Sequence, residues 1–260
     1  MFLPFTIKAS ELTRLQLESG TYASAGDDSD KYIRKVHLRQ YLASTSGLID
    51  GKTLKEVLFP KGKYHIFLSH SHGDLKIAQY LKAWFNVNCG LKCFIDADVW
   101  GNAYDLIKEL DDKYSRTTSG YDYDRCIQTT AHVYSMLSMA LFEAIDEIEC
   151  PILIESNNSV TLEDGIKKST LSPWIYEEVG YMGKLPHKLP SRIPRMRYFT
   201  VGSESVILNE AAIKDSLQMS HPLDVSGFKS IDKSDLSIMK YYKKEDALNW
   251  LYKRKMILER

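Results

Sequence analysis

Three short, almost wholly apolar runs constrain this chain most: residues 64–68 (YHIFL), 91–95 (LKCFI) and 151–154 (PILI). Each is too brief for a core helix. Each also lacks the apolar-polar alternation of a strand with one wet face, so all three read as strands buried on both sides. The segments between them change period. Leu75, Ala78, Leu81 and Phe85 recur at helical spacing over residues 74–87, and Gly90 ends that helix. A short helix is expected over 106–110. A longer one is expected over 129–148, with Tyr134, Leu137, Leu141, Ile145 and Ile148 on one face. Strands alternating with helices predict an α/β chain built as a doubly wound parallel sheet.

Further along, Ser172 and Pro173 supply an N-cap and a first-turn proline for a helix over 174–182. A fourth strand is expected at 195–201 (RMRYFTV), an edge strand near 223–228, and a terminal amphipathic helix over 245–258. In doubly wound sheets ligands bind beyond the carboxyl ends of the strands, where connections diverge. That puts residues 69–74, 96–104 and 156–159 along one rim. Residues 1–62 read as a helical N-terminal extension, with a loop over 21–30 and a helix over 31–44. Residues 63–260 read as the α/β domain, with an insertion rich in Ser, Thr, Gly and Asp near 111–130.

Thirty-four Lys and Arg balance 34 Asp and Glu, so no net charge draws the chain to nucleic acid or to an anionic membrane. No apolar run approaches the roughly 20 residues that span a bilayer. The first residues, MFLPFTIKASELTR, have neither a basic region nor a small-residue cleavage site, so no secretory signal is expected. Cys89, Cys93, Cys126 and Cys150 form no C-x-x-C pair. Reduced thiols in a cytoplasmic protein are the expectation.

The stretch after the first run, SHSHGD, has two readings. His70, His72 and Asp74 have the spacing of zinc ligands in some hydrolases. Leu75, however, stands where that run needs a further histidine, and His132, His187 and His221 have no companions at ligand spacing, so no metal is expected. There is neither a G-x-G-x-x-G nor a P-loop, which removes support for a conventional dehydrogenase or NTPase.

The blocks FLSHSHGD, GLKCFIDADVWG, CPILIESNNS and SPWIYEE, in that order, resemble the Toll/interleukin-1 receptor (TIR) domain family from about residue 64 to 182. Phe67-Leu68-Ser69 matches the end of the family's first strand. Phe94-Ile95-Asp96 matches the entry to its BB loop, and Trp174 to Glu178 its helix start. The resemblance implies a flavodoxin-like fold and an enzyme that cleaves NAD as substrate, with no resident cofactor. It implies a role in prokaryotic antiphage (Thoeris-like) signalling through ADP-ribose or a cyclic or conjugated form. Self-association and a separate effector that reads the product are implied partners. Glu178 becomes the catalytic residue. Ser69, His70, Ser71 and His72 would line the pocket from the first strand, Asp96, Trp100 and Tyr104 from the BB loop, His132 from the rim, and Trp174 from beside Glu178.

Independently of the family, Trp174 and Glu178 are four residues apart and share a helix face. Glu177 and Glu178 can also be read as first-turn acids that complement the helix dipole. Two other functions fit the same motifs, a non-catalytic TIR interaction module and a nucleoside deoxyribosyltransferase-like enzyme. A glutamate at the family's catalytic position favours the NAD-cleaving enzyme.

Overall fold

The computed structural model describes residues 1–13, 40–41, 48–59, 61–99, 103–163, 167–193 and 219–257. In chain order its elements are β1 (Phe5–Lys8), α1 (Gly51–Leu58), β2 (Ile66–Ser69), α2 (Leu75–Trp84), β3 (Cys93–Phe94), α3 (Asp96–Val99), α4 (Ala103–Tyr114), β4 (Arg116–Thr117), β5 (Gly120–Tyr121) and α5 (Tyr123–Glu147). They continue with β6 (Cys150–Glu155), β7 (Thr161–Glu163), β8 (Lys167–Thr170), α6 (Pro173–Lys184), β9 (His221–Pro222), β10 (Lys229–Ile231), α7 (Lys233–Met239) and α8 (Glu245–Ile257).

Five strands form one parallel sheet in the order β10-β1-β6-β2-β3. The chain is therefore α/β, with a central sheet compatible with double winding. The three apolar runs supply β2, β3 and β6, and every residue of these strands is buried. Phe67 and Phe94 stack across the β2–β3 pair with centroids 5.4 Å apart. Burying each large apolar side chain of this kind contributes about 1.5–3 kcal/mol.

The first residues depart from the expected helical extension. Phe5–Lys8 is a strand, inserted between β6 and β10 with Phe5 opposite Ile152 and Ile7 opposite Ile154. Met1, Phe2, Leu3, Phe5 and Ile7 are all buried, and Phe2 meets Tyr252 edge-on at 4.7 Å. The edge strand also lies later than expected, at Lys229–Ile231 rather than 223–228. The strand expected at 195–201 falls outside the described residues, as do most of the helix at 31–44 and the loop at 21–30.

The helix after β2 runs as expected but ends in a π-helical turn, Phe85–Cys89, closed by Gly90 at φ 67°. That left-handed backbone angle is costly for any residue with a Cβ. The cap of α6 is formed as its sequence predicts: Ser172 Oγ accepts from Ile175 N at 3.3 Å, and Pro173 opens the helix. The antiparallel sheet β7-β8-β9 and the helices α3 and α7 were not anticipated. Asp235 of α7 is fully buried and binds Arg254 at 2.6 Å and Lys255 at 2.5 Å.

The chain divides into two compact units. The first holds Met1–Ala25, Lys63–Ile95 and Ile145–Arg260, and the second Gly26–Gly62 and Asp96–Ala144. Residues 1–62 are thus shared between the units. In the second unit Lys55 of α1 reaches Glu143 of α5 at 2.5 Å. The excursion near 111–130 resolves there into the β4–β5 hairpin between α4 and α5, with the Tyr121 hydroxyl on Asp112. The four cysteines are free thiols, and burial pushes Cys89 up to about 11. Among the described residues no helix is long and apolar enough to cross a membrane.

Because Ile7 is fully buried in a strand paired on both edges, Ile7→Ala should cost about 2–5 kcal/mol, the range for truncating a buried isoleucine. Urea denaturation measures it, and a loss below about 0.5 kcal/mol would mean that residues 5–8 contribute only as surface.

Candidate active site

The order β10-β1-β6-β2-β3 contains a switch point. From β2 the chain moves through α2 to its neighbour β3, whereas from β6 it leaves in the other direction, past β1, to reach β10. The connections that follow β2 and β6 therefore diverge, and in sheets of this kind ligands settle beside such a point.

Ser69, the last residue of β2, and Glu178, in the second turn of α6, meet at this place. Ser69 Oγ donates to Glu178 Oε2 at 2.5 Å, and both side chains are buried. The positions are 109 residues apart in sequence. A carboxylate removed from water requires hydrogen-bonding partners, and the Ser69 hydroxyl also fixes the orientation of one carboxylate oxygen. The adjacent Glu177 points elsewhere and accepts from the Tyr181 hydroxyl at 2.8 Å. Neither glutamate lies in the first turn of α6, which contains no acid. The dipole explanation for both is thereby corrected, because that effect fades beyond the first turn.

The loops beyond β2 and β6 are fastened to one another. Asp74 is buried and accepts from Ser156 Oγ and, at 2.9 Å, from Asn158 Nδ2. Ser156 Oγ in turn accepts from Asn158 N at 3.0 Å, and Ser159 Oγ donates to Ile154 O at 2.8 Å. Gly73 permits the approach: a Cβ there would lie 3.0 Å from Asn158 Nδ2.

The remaining expected residues distribute as follows. Ser71 caps the single 3-10 turn His72–Asp74 by accepting from Gly73 N at 3.2 Å, and it lines a shallow cavity of about 250 Å³ with Asn157, Asn158 and Thr161. His70 is half-buried, with Nδ1 3.2 Å from Leu68 O, and His72 is exposed. Asp74 is turned toward Ser156 and Asn158, so it does not converge with His70 and His72. Among the described residues no group of three or more His, Cys, Asp or Glu is arranged to hold a metal. Trp174 is half-buried on α6, one turn before Glu178.

Asp96, Tyr104 and His132 belong to the second unit. Asp96 opens α3, His132 is exposed on α5, and Tyr104 is exposed on α4. Tyr104 also hydrogen-bonds Tyr134, whose phenol is pushed up to about 12, first by burial and then by that bond. Trp100 lies outside the described residues.

Sequence reasoning placed residues 156–159 on the rim by topology but did not foresee their bonding to Asp74. It also missed the Glu155–Lys168 pair at 2.6 Å. The available signal was compositional: S-N-N-S directly after a buried strand is rich in side chains that hydrogen-bond nearby backbone. No family model, no curated protein and no solved structure matches this chain.

Asp74→Ala would leave the Ser156 hydroxyl and the Asn158 amide without their acceptor. Ser156 is half-buried and Asn158 exposed, so water can replace the lost acceptor, and the expected loss is about 0.5–1.5 kcal/mol for each hydrogen bond removed. Chemical denaturation of the variant tests this, and unchanged stability would show that the loops are held by other means.

Proposed function

We propose that the chain is a TIR-type enzyme that cleaves the nicotinamide–ribose bond of NAD, with Glu178 as its catalytic carboxylate. The observation that carries this reading is the buried Ser69–Glu178 pair at the switch point between β2 and β6. Strand order adds support. Counted from β2, the strands β3, β2 and β6 run 2-1-3, the start of the flavodoxin-like order 2-1-3-4-5. The next two places are taken by β1 and β10, so the fourth place is filled by the beginning of the chain.

The chemistry needs little beyond a well-placed carboxylate. Nicotinamide departs as a neutral molecule from a cationic precursor, so no acid has to protonate the leaving group. Positive charge instead develops on the ribose as an oxocarbenium-like cation. A fixed carboxylate stabilises that charge more in the transition state than in the ground state, which is the condition for raising the rate. Ser69 acts as a positioning residue, because its hydroxyl holds one oxygen of Glu178. Trp174, on the same helix face, supplies an aromatic surface for a planar ring.

Water as acceptor of the ribosyl group yields ADP-ribose, and an internal or second acceptor yields a cyclic or conjugated form. As a cytoplasmic signal source in antiphage defence, the enzyme would act with a separate effector and self-associate through its TIR surfaces.

Nicotinamide release from NAD, followed by chromatography on the full chain in its activated, assembled state, tests the reading. Glu178→Gln should lower the rate by about 10²–10³, the usual loss when one preorganised stabilising group is removed. Glu177→Gln should leave it within a few-fold. Full activity in Glu178→Gln would remove the assignment, and turnover of a free nucleoside without NAD cleavage would replace the reaction.

A further inference from the structure

The carboxyl ends of β1 and β6 enclose a different cavity, of about 300 Å³. Lys8 and Glu155 end its two strands, Asp74 and Ile77 reach it from beyond β2, and neither Ser69 nor Glu178 lines it. One wall is a charge pair: Lys168 Nζ sits 2.6 Å from Glu155 Oε1, with the side chains only 17% and 9% exposed. Ile77, Val160 and Leu162 form an apolar wall, and exposed Lys8, at the end of β1, brings a cation to the mouth.

A buried ion pair is a poor way to gain stability, since well-packed apolar residues commonly do as well or better. In a cavity wall the same pair has another use, because it offers an acceptor and a donor side by side. A sugar hydroxyl both donates and accepts, so a ring bearing several hydroxyls matches such a wall, while its C–H face matches Ile77, Val160 and Leu162. Charge narrows the ligand further. Glu155 is paired with Lys168, whereas Asp74 keeps its negative charge, because its partners Ser156 and Asn158 are neutral, and adds a second acceptor for ring hydroxyls. Lys8, exposed at the mouth, is the cation that an anionic group on such a ring, a phosphate monoester, would meet there. The volume stands at the lower end for small-ligand sites, which suits a single sugar phosphate and is too small for a dinucleotide.

We infer that this cavity is a binding site for a sugar phosphate, with the ring hydroxyls on Glu155 and Lys168 and the phosphate on Lys8. The site is separate from the Ser69–Glu178 pair and stands whether or not the proposed NAD cleavage is correct.

Isothermal titration of the full chain with ribose 5-phosphate, ribose and inorganic phosphate tests it. Ribose 5-phosphate should bind at least about tenfold more tightly than either fragment, since it alone engages both ends of the cavity. Lys8→Gln, which removes the charge without setting a second carboxylate beside Glu155, its partner in register, should weaken ribose 5-phosphate by about tenfold or more. Leu162→Trp, with folding checked by circular dichroism, should abolish binding by filling the cavity, while Glu178→Gln should leave it unchanged. The proposal is overturned if the wild type shows no binding at millimolar ligand, or if phosphate alone binds as tightly as ribose 5-phosphate. It is equally overturned if Lys8→Gln binds like wild type, or if Glu178→Gln loses binding, which would move the ligand to Glu178.

Discussion

Strand β6 is hydrogen-bonded along both edges, to β1 on one side and β2 on the other, and all six of its residues are buried. A strand held this way cannot slip by one residue without breaking two ladders and reversing which side chains face each layer. Its register therefore decides what stands at the rim. Glu155 comes level with Lys8, while Ser69 pairs with Leu153 and so ends slightly short of it. The loop after Glu155 then falls beside the loop after Ser69, where Asp74 can reach Ser156 and Asn158. The Ser69–Glu178 pair and the cavity bounded by Lys8 and Lys168 thus both stand beside one rigid strand end.

Burying carboxylates at that rim opposes folding unless each is partnered. Asp74, Glu155 and Glu178 are all buried and all hydrogen-bonded. Burial alone does not mark function. Asp235 is more deeply buried than any of them and serves α7, whose amino end it closes in a capping box while gripping Arg254 and Lys255 of α8. What separates the two cases is position: Asp235 joins two helices, whereas the other three carboxylates stand beside the carboxyl ends of parallel strands, where backbone connections leave room for a ligand.

The strands β2, β3 and β6 were legible because their apolar runs are continuous and are separated by segments of helical period. The cap of α6 was legible because Ser172-Pro173 is a local signal that needs no knowledge of the fold. Strand β1 was not. Its four residues alternate between apolar and polar types, Pro4 precedes them, and their partners on β6 lie more than 140 positions away. Nothing within reach of a local pattern says that so short a segment sits in mid-sheet. The same limit hid the bond between Ser69 and Glu178, and the fastening of Asp74 to Asn158, 84 positions apart. Types and faces of residues could be read, but their long-range pairing depends on register across the sheet.

Glu177 and Glu178 isolate the step from local to tertiary information. As neighbours on one helix they share propensity, distance from the helix end and charge, so any explanation in those terms treats them alike. Successive helical positions differ by about 100° in direction, and that rotation sends Glu178 inward to Ser69 while Glu177 stays on the flank with Tyr181. The inward position is the costlier one for a carboxylate, because water is lost there and a designed acceptor or an apolar residue would pack at less expense. A costly group placed where the connections from two strands diverge fits the proposed role of Glu178 in stabilising a ribosyl cation.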